Sequence, residues 1–144
     1  RLRFAEQLGI AQTVDVSKDD DGLSSSFNCV LEASGASPAL TLSVRACRRK
    51  RCVVMLGNPN ADMTLPQADY SMAMRKELAL AGTWNSSYGN VPRNEWAIAL
   101  DAMASGALDV TPLITHRVGL DALPGALAML RDRTEAAVKV MVRP

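Results

Sequence analysis

The chain has 144 residues, of which 48% are hydrophobic and 22% charged, and its net charge is +1. This composition is typical of a globular domain with a real core and excludes a disordered chain. The near-neutral charge gives no whole-chain argument for binding nucleic acid or a membrane surface, and no apolar run approaches the roughly 20 residues of a membrane span. We therefore expect neither kind of partner, and the cysteines, which we interpret as reduced, indicate a cytoplasmic protein.

The predicted elements alternate between helices and short apolar strands. In chain order, hydrophobic spacing predicts a helix over 1–9, a strand over 11–16, a polar loop over 17–26, a strand over 27–34, a helix over 38–48, a strand over 51–57, an extended piece over 63–65, a helix over 67–77 and a strand over 78–83. A loop over 85–92, a helix over 95–105, a connection over 107–114, a helix over 120–131 and a strand over 137–142 follow. This alternation predicts an α/β fold with a parallel sheet.

Three of the predicted strands end beside a glycine, at Gly35, Gly57 and Gly82. The carboxyl ends of neighbouring parallel strands meet at one edge of a sheet, so these ends should lie side by side. A strand that ends in glycine lets a ligand approach backbone groups closely, and Trp84 could cover such a crevice. Tight packing of helices on strands would need the same small residues, and spacing alone does not decide between the two interpretations.

Other polar residues give weaker signals. Residues 19–22 read Asp-Asp-Asp-Gly, but Ser17 and Asn28 occupy positions where a calcium loop needs other ligands, so a solvated acidic turn is favoured. Glu32 lies inside an apolar strand and is either a hydrogen-bonded structural carboxylate, which we favour, or a general acid–base group. His116, the single histidine, could be a base or a ligand, and a structural role is favoured.

Cysteines and cations are the remaining candidates. Cys29, Cys47 and Cys52 have no metal or disulfide spacing, and we interpret them as reduced, small apolar side chains, with Cys29 and Cys52 in buried strands. The cations between Arg45 and Arg51 suit the end of a helix, where they complement the helix dipole. A phosphate or nucleic-acid patch is the alternative, but no aromatic side chains are interleaved with them.

The order of these segments resembles the nucleotide-binding domain of medium-chain, zinc-containing alcohol and polyol dehydrogenases, especially its carboxyl-terminal part. The matching pieces, in family order, are Glu32-Ala-Ser-Gly35, Val53-Val-Met-Leu-Gly57, Arg75-Lys-Glu-Leu78, Gly82-Thr-Trp84, Pro112-Leu-Ile-Thr-His-Arg117 and Ala137-Val-Lys-Val140. The Gly82-Thr-Trp-Asn85 version is most similar to the sorbitol and galactitol-1-phosphate dehydrogenase branch. Relatives usually carry Pro-Gly-Gly where this chain has Arg49-Lys-Arg51, which puts the turn geometry in question.

The resemblance implies a cofactor site and its residues. Ala33, Ser34 and Gly35 would lie against the adenosine, and Arg1 near its ribose. The backbone of two segments, Leu56-Gly57-Asn58 and Gly82-Thr83-Trp84, would hold the nicotinamide carboxamide, and Lys139 would approach the pyrophosphate. The implied cofactor is NAD, with NADP not excluded, and the implied reaction is hydride transfer from a polyol or secondary alcohol.

The resemblance also indicates what these 144 residues do not supply. A complete dinucleotide fold begins with a strand and Gly-x-Gly-x-x-Gly, followed by an acidic residue, and none of these is present. The family's zinc ligands are absent as well, and we assign neither a metal site nor a catalytic residue. We therefore expect a single incomplete, Rossmann-like domain over 1–144 that lacks its first two strands, with 112–144 returning toward a catalytic domain. The chain alone should be inactive.

A non-catalytic alternative is a self-associating module. Residues 63–65 would form the outer strand of the sheet, where relatives pair two subunits. An unpaired strand edge is a template for association, so the sequence predicts a homo-oligomer through this edge.

Overall fold

The computed structural model describes residues 2–9, 12–18, 21–84 and 94–144. Its helices are α1 (Leu2–Gln7), α2 (Ser37–Ala46), α3 (Gln67–Arg75), α4 (Glu95–Ala104) and α5 (Leu123–Asp132), and its strands are β1 (Phe27–Glu32), β2 (Cys47–Met55), β3 (Ala79–Gly82), β4 (Ile114–Gly119) and β5 (Lys139–Arg143). Short 3₁₀ turns cover Asp21–Leu23, Thr111–Leu113 and Leu120–Ala122. The chain forms two compact units, Val14–Asn85 and Arg1–Thr13 with Ser86–Pro144.

The unit Val14–Asn85 is built on a three-stranded parallel sheet. The strand order is β1-β2-β3, with α2 and α3 as the two crossovers. Helix α2 lies against β1, β2 and α3, and its Val44 is fully buried together with Val53 of β2. This arrangement confirms the prediction of an α/β fold with a parallel sheet and flanking helices.

Helix α2 passes directly into β2 at Cys47, and this junction is held by Lys76. The Nζ of Lys76 donates to the carbonyl oxygens of Val44, Arg45 and Cys47, at 3.1, 2.7 and 2.9 Å. The last carbonyls of a helix have no partner within it, so this ammonium group supplies the missing donors. Arg45 also forms a two-pronged ion pair with the buried carboxylate of Asp69 in α3.

The basic run after α2 is engaged mainly in local contacts. Arg48 Nε donates to the carbonyl of Ser25 at 3.2 Å, and Arg49 and Lys50 both contact the carboxylate of Glu77. Lys50 has a left-handed backbone with φ +58°, and its N–H donates to the Lys76 carbonyl at 2.7 Å. The turn at Arg49-Lys-Arg51 therefore contains the left-handed conformation that glycine favours, although its central residue is lysine.

The other unit contains a two-stranded parallel sheet, β4-β5, with α5 as the connection. Asn94 caps α4, because its Oδ1 accepts the N–H of Ala97 at 2.7 Å. Helix α5 ends at Asp132, and the following residue, Arg133, is left-handed with φ +53°. Among the described residues, no helix is long and apolar enough to cross a membrane.

Four sequence predictions differ from the structure. Residues 12–15 form no strand where one was predicted over 11–16, and residues 63–65 form no edge strand, because the Thr64 N–H donates to Ser37 Oγ at 2.9 Å instead of to a ladder. Cys29 is exposed, since it lies on the sheet face opposite to the buried Val53 row. Ile114–Gly119 form β4, a strand that the sequence analysis did not predict.

Candidate functional site

The carboxyl ends of β1, β2 and β3 lie in one row. Glu32 pairs with Met55, and Met55 pairs with Gly82, so the three strands finish at the same level of the sheet. The predicted juxtaposition of three strand ends is therefore confirmed. In open parallel sheets the carboxyl edge is where ligands bind.

The carboxylate of Glu32 organises the loop that follows β1. Its side chain is only 3% exposed, and Oε1 accepts the Ser34 N–H at 2.7 Å, the Ser34 hydroxyl at 2.7 Å and the Gly35 N–H at 2.9 Å. Burial alone would raise the pKa of Glu32, but these hydrogen bonds outweigh it and lower the pKa below its ordinary value. An ionised acceptor that already holds three donors is a structural carboxylate, and this geometry favours the structural interpretation of Glu32 over acid–base chemistry.

The loops after β1 and β2 touch at two glycines. Gly35 is left-handed with φ +68°, and a Cβ built on it would lie 2.3 Å from the carbonyl oxygen of Asn58. A Cβ on Gly57 would lie 2.1 Å from the backbone nitrogen of Gly35. Real Cβ contacts are never this short, so only glycine permits the two backbones to pass at this distance. This close contact holds the loop after β1, at Ser34 and Gly35, against the loop after β2, at Gly57 and Asn58.

The end of β3 is open where the first two strand ends are closed. A Cβ on Gly82 would meet no described atom within 4 Å, and Thr83 continues the ladder by donating its N–H to the Met55 carbonyl at 3.0 Å. Trp84 is 78% exposed and Leu56 is 52% exposed. Exposed apolar groups beside an open backbone edge are the features that a planar ring system would cover.

The remaining predicted site residues are placed as follows. Ala33, Ser34 and Asn58 are exposed at the same edge of the sheet. Lys139 opens β5 in the other compact unit, where its carbonyl accepts the Thr115 hydroxyl at 3.2 Å. Arg1 lies outside the described residues. The structure thus brings together nine of the predicted cofactor residues on the β1-β2-β3 edge: Ala33, Ser34, Gly35, Leu56, Gly57, Asn58, Gly82, Thr83 and Trp84.

Thr115 is a residue that sequence reasoning missed. Its Oγ1 donates to the Lys139 carbonyl, accepts the Val138 N–H at 3.1 Å and lies 2.9 Å from His116 Nδ1. His116 Nε2 in turn lies 3.4 Å from the Glu135 carboxylate. The β-branched residues Ile114, Thr115 and Val118 were the available signal for a strand here.

Across the described ranges, no three His, Cys, Asp or Glu side chains are grouped so that they could hold a metal ion. The three cysteines share one part of the sheet, but the Cys47 thiol is buried and burial raises its pKa, which opposes the thiolate that zinc requires. The described residues therefore do not fit a zinc site.

Proteins similar to this chain include several dehydrogenases. L-threonine 3-dehydrogenase of Enterobacter sp. (strain 638) is 32% identical over 128 residues, which is 84% of this chain and 35% of the relative. Galactitol-1-phosphate dehydrogenase from Escherichia coli has the same fold over 99% of this chain and 43% of its own, with a TM-score of 0.86 and 25% identity. The chain belongs to the medium-chain, zinc-containing alcohol and polyol dehydrogenases. No protein-family model matches the chain.

As a member of this dehydrogenase family, the chain spans only about 35% of the length of the curated relatives it matches first. A zinc-binding dehydrogenase from Sinorhizobium meliloti 1021, solved bound to NADP, superposes on 99% of this chain and 42% of its own, with a TM-score of 0.73. Its 24% identity shows the shared fold alone. The family assignment made from ordered segments of the sequence is confirmed.

Proposed function

We propose that the chain is the part of an alcohol or polyol dehydrogenase that holds a nicotinamide dinucleotide cofactor, NAD or NADP. The observation that carries the proposal is the row of Glu32, Met55 and Gly82, which aligns three strand ends at one edge of a parallel sheet. When bound, the cofactor would accept a hydride from the carbinol carbon of the substrate. The whole enzyme's substrate class, a polyol or secondary alcohol, belongs to the same proposal.

The chain's own residues would bind and orient the cofactor. Glu32 holds Ser34 and Gly35 in place, so that the exposed end of the β1 loop offers small side chains to an adenosine. The backbone around Leu56 and Thr83 would hold the carboxamide of the nicotinamide. These contacts use fixed backbone groups, so little ordering free energy would be lost on binding.

Lys139 is the proposed contact for the pyrophosphate, because an ammonium group pairs well with a phosphate oxygen. Its position is set by the Thr115 hydroxyl, which donates to its carbonyl oxygen. Lys139→Arg keeps the positive charge and Lys139→Gln removes it. Weaker binding of NADH by the glutamine variant but not by the arginine variant would support this role, whereas equal binding by both would remove Lys139 from the site.

The test of the cofactor site is an NADH fluorescence titration of the chain, with its length checked by intact mass. A Cβ at Gly82 meets no described atom within 4 Å, so Gly82→Val adds a branched side chain at the open strand end. Gly22→Val is the matched control, since a Cβ at Gly22 also meets no atom within 4 Å and lies in the turn at Asp21–Leu23. Saturable binding that Gly82→Val abolishes and Gly22→Val keeps would support the site. Absence of binding by the intact chain would refute it.

The chain by itself is proposed to be inactive, because its described residues do not form a zinc site and its sequence lacks the glycine motif of a complete dinucleotide fold. Alcohol-dependent NADH production by the purified chain would contradict this. The assay should include a polyol, a secondary alcohol and L-threonine, since the similar proteins are named for substrates of these kinds.

Self-association is a second candidate function, and β3 is the observation that favours it. This strand is the last in the order β1-β2-β3 and so forms an edge of the sheet. All four of its residues are exposed, and Leu80 is 44% exposed. A strand edge of this kind can pair with a second copy of the chain. Light scattering over a concentration series tests the idea, and a strict monomer at the highest concentration would rule it out.

A further inference from the structure

Two cysteines face each other across the first pair of strands. Cys29 of β1 is the register partner of Cys52 of β2, and in-register neighbours on parallel strands point to the same face of the sheet. Adjacent strands lie about 4.7–4.9 Å apart, which falls inside the Cα separations of about 4.4–6.8 Å found in disulfides. The register therefore places the two thiols on the same face of adjacent strands, at a backbone spacing that a disulfide can span.

Access and freedom of movement favour reaction at this pair. Cys29 is exposed and Cys52 is half-buried. β1 is an edge strand of the sheet, so it is hydrogen-bonded to β2 on one side only. The register also shifts between Phe27 and Cys29, which breaks the regular ladder directly beside the first cysteine. These features allow the small backbone adjustment that closing a bond would need.

Cys47, the third cysteine, is unsuited to the same chemistry. It is fully buried, and burial raises the pKa of its thiol, so it stays protonated. Its Sγ lies 3.5 Å from the carbonyl oxygen of Cys52, a weak contact of the thiol with the backbone. Cys47 therefore serves as an internal control, because it lies close to the pair but is fully buried.

We propose that Cys29 and Cys52 form a reversible thiol–disulfide site, oxidised by a small-molecule disulfide. The Cys29 thiolate attacks one sulfur of the oxidant, forms a mixed disulfide and releases one thiol. The Cys52 thiolate then attacks the Cys29 sulfur, forms the intrachain bond and releases the second thiol. Two protein thiols are oxidised, one external disulfide is reduced to two thiols, and the two protons pass to the departing thiolates.

The bond should be easily reduced again. Cys29 is exposed, and exposed disulfides have higher reduction potentials than structural ones. The site is independent of the proposed cofactor function, because Cys29 precedes the end of β1 by three residues and contributes nothing to the row at Glu32.

Oxidised glutathione is the probe, followed by alkylation, intact mass and a non-reducing tryptic map. Trypsin cuts after Lys18, Arg45, Arg48, Arg51 and Arg75, so each cysteine falls on a separate peptide: 19–45, 46–48 and 52–75. We expect the intact mass to fall by two hydrogen atoms and peptide 19–45 to be linked to 52–75. Dithiothreitol should reverse both changes.

Two cysteine variants test the proposed disulfide. Cys47→Ser should form the same link, and Cys52→Ser should stop at a stable glutathione adduct on peptide 19–45, with circular dichroism used to check that both variants fold. A link that includes peptide 46–48, a persistent glutathione adduct on the unaltered chain, or no mass change after oxidation would each overturn the assignment.

Discussion

Gly57 donates its backbone N–H to the carbonyl oxygen of Glu32 at 2.9 Å, so the chain leaving β2 is hydrogen-bonded to the last residue of β1. A Cβ at Gly57 would lie 2.8 Å from Glu32 Oε2 as well as 2.1 Å from the Gly35 nitrogen. The end of β1, its following turn and the end of β2 therefore form one packed unit. This contact positions the carboxyl edge of the sheet, which is the candidate site for the cofactor.

The first prediction concerns Gly57→Ala. The added methyl group would collide with backbone atoms that cannot rotate away, and overpacking of this kind costs about 1–3 kcal/mol. We expect a lower urea midpoint and weaker NADH binding. Gly82→Ala is the matched control, since its methyl group meets no atom within 4 Å and should leave the urea midpoint close to that of the unaltered chain. Equal midpoints for the two variants would contradict the packing argument.

The second prediction concerns Glu32→Gln. A neutral amide oxygen would be a weaker acceptor for the Ser34 and Gly35 donors, and the amide NH₂ would add a donor in a buried position. Loss of charge-assisted hydrogen bonds of this type costs about 1–3 kcal/mol. Urea unfolding near neutral pH should show the loss. Ser34→Ala, which removes only one of the three donors, should cost less than Glu32→Gln.

The third prediction is the pH dependence of this effect. The pKa of Glu32 is lowered in the folded chain, so the unfolded chain binds more protons in the acid range. The contribution of Glu32 to the free energy of unfolding should be complete above the ordinary glutamate pKa of about 4.3, and it should fall as pH decreases through the folded-state value. The difference in urea midpoint between the unaltered chain and Glu32→Gln should therefore shrink on acidification. A difference that stays constant would show that the charge of Glu32 contributes nothing.

The parallel sheet could be predicted because the strands of the Val14–Asn85 unit are short apolar runs that end beside glycine. Periodicity also located α2 and α3 within two residues, since each carries apolar residues on one face. The predicted edge strand at 63–65 was wrong because its N–H groups find a side-chain partner, Ser37, which is distant in the sequence. Local pattern cannot report such a contact.

The candidate site, like the fold, could be predicted only in part from the sequence. The glycines were visible in the sequence, but the reason for them differs: Gly35 and Gly57 are required by contact between two backbones, and Gly82 faces open space. The anchor of Lys139 by Thr115 depends on the pairing of β4 with β5, which joins residues 24 positions apart. Sequence spacing predicts which residues stand at strand ends, whereas the hydrogen bonds that hold them depend on the register between strands.

The fourth prediction concerns Lys76→Met. The Nζ of Lys76 supplies donors to three carbonyl oxygens at the junction of α2 and β2, and methionine keeps the apolar stem without the donors. Hydrogen bonds from a charged group are worth about 1.5–3 kcal/mol, so the free energy of unfolding should fall by an amount in this range. Arg75→Met is the control, because Arg75 is the exposed neighbour at the end of α3 and should change stability little. Equal losses in the two variants would exclude the capping role.

The fifth prediction concerns Lys50→Gly. Lys50 has φ +58°, a conformation that costs a residue with a Cβ about 1–2 kcal/mol and glycine almost nothing. The replacement loses a contact with Glu77 at 3.7 Å, but an exposed ion pair of this length contributes little. Glycine also gains freedom in the unfolded chain, which offsets part of the benefit. We expect a net rise of up to about 1 kcal/mol in the free energy of unfolding. Lys50→Ala removes the same contact and keeps the Cβ, so it should give no stabilisation, and a rise as large as that of glycine would show that the charge, and not the backbone, was the source of the strain.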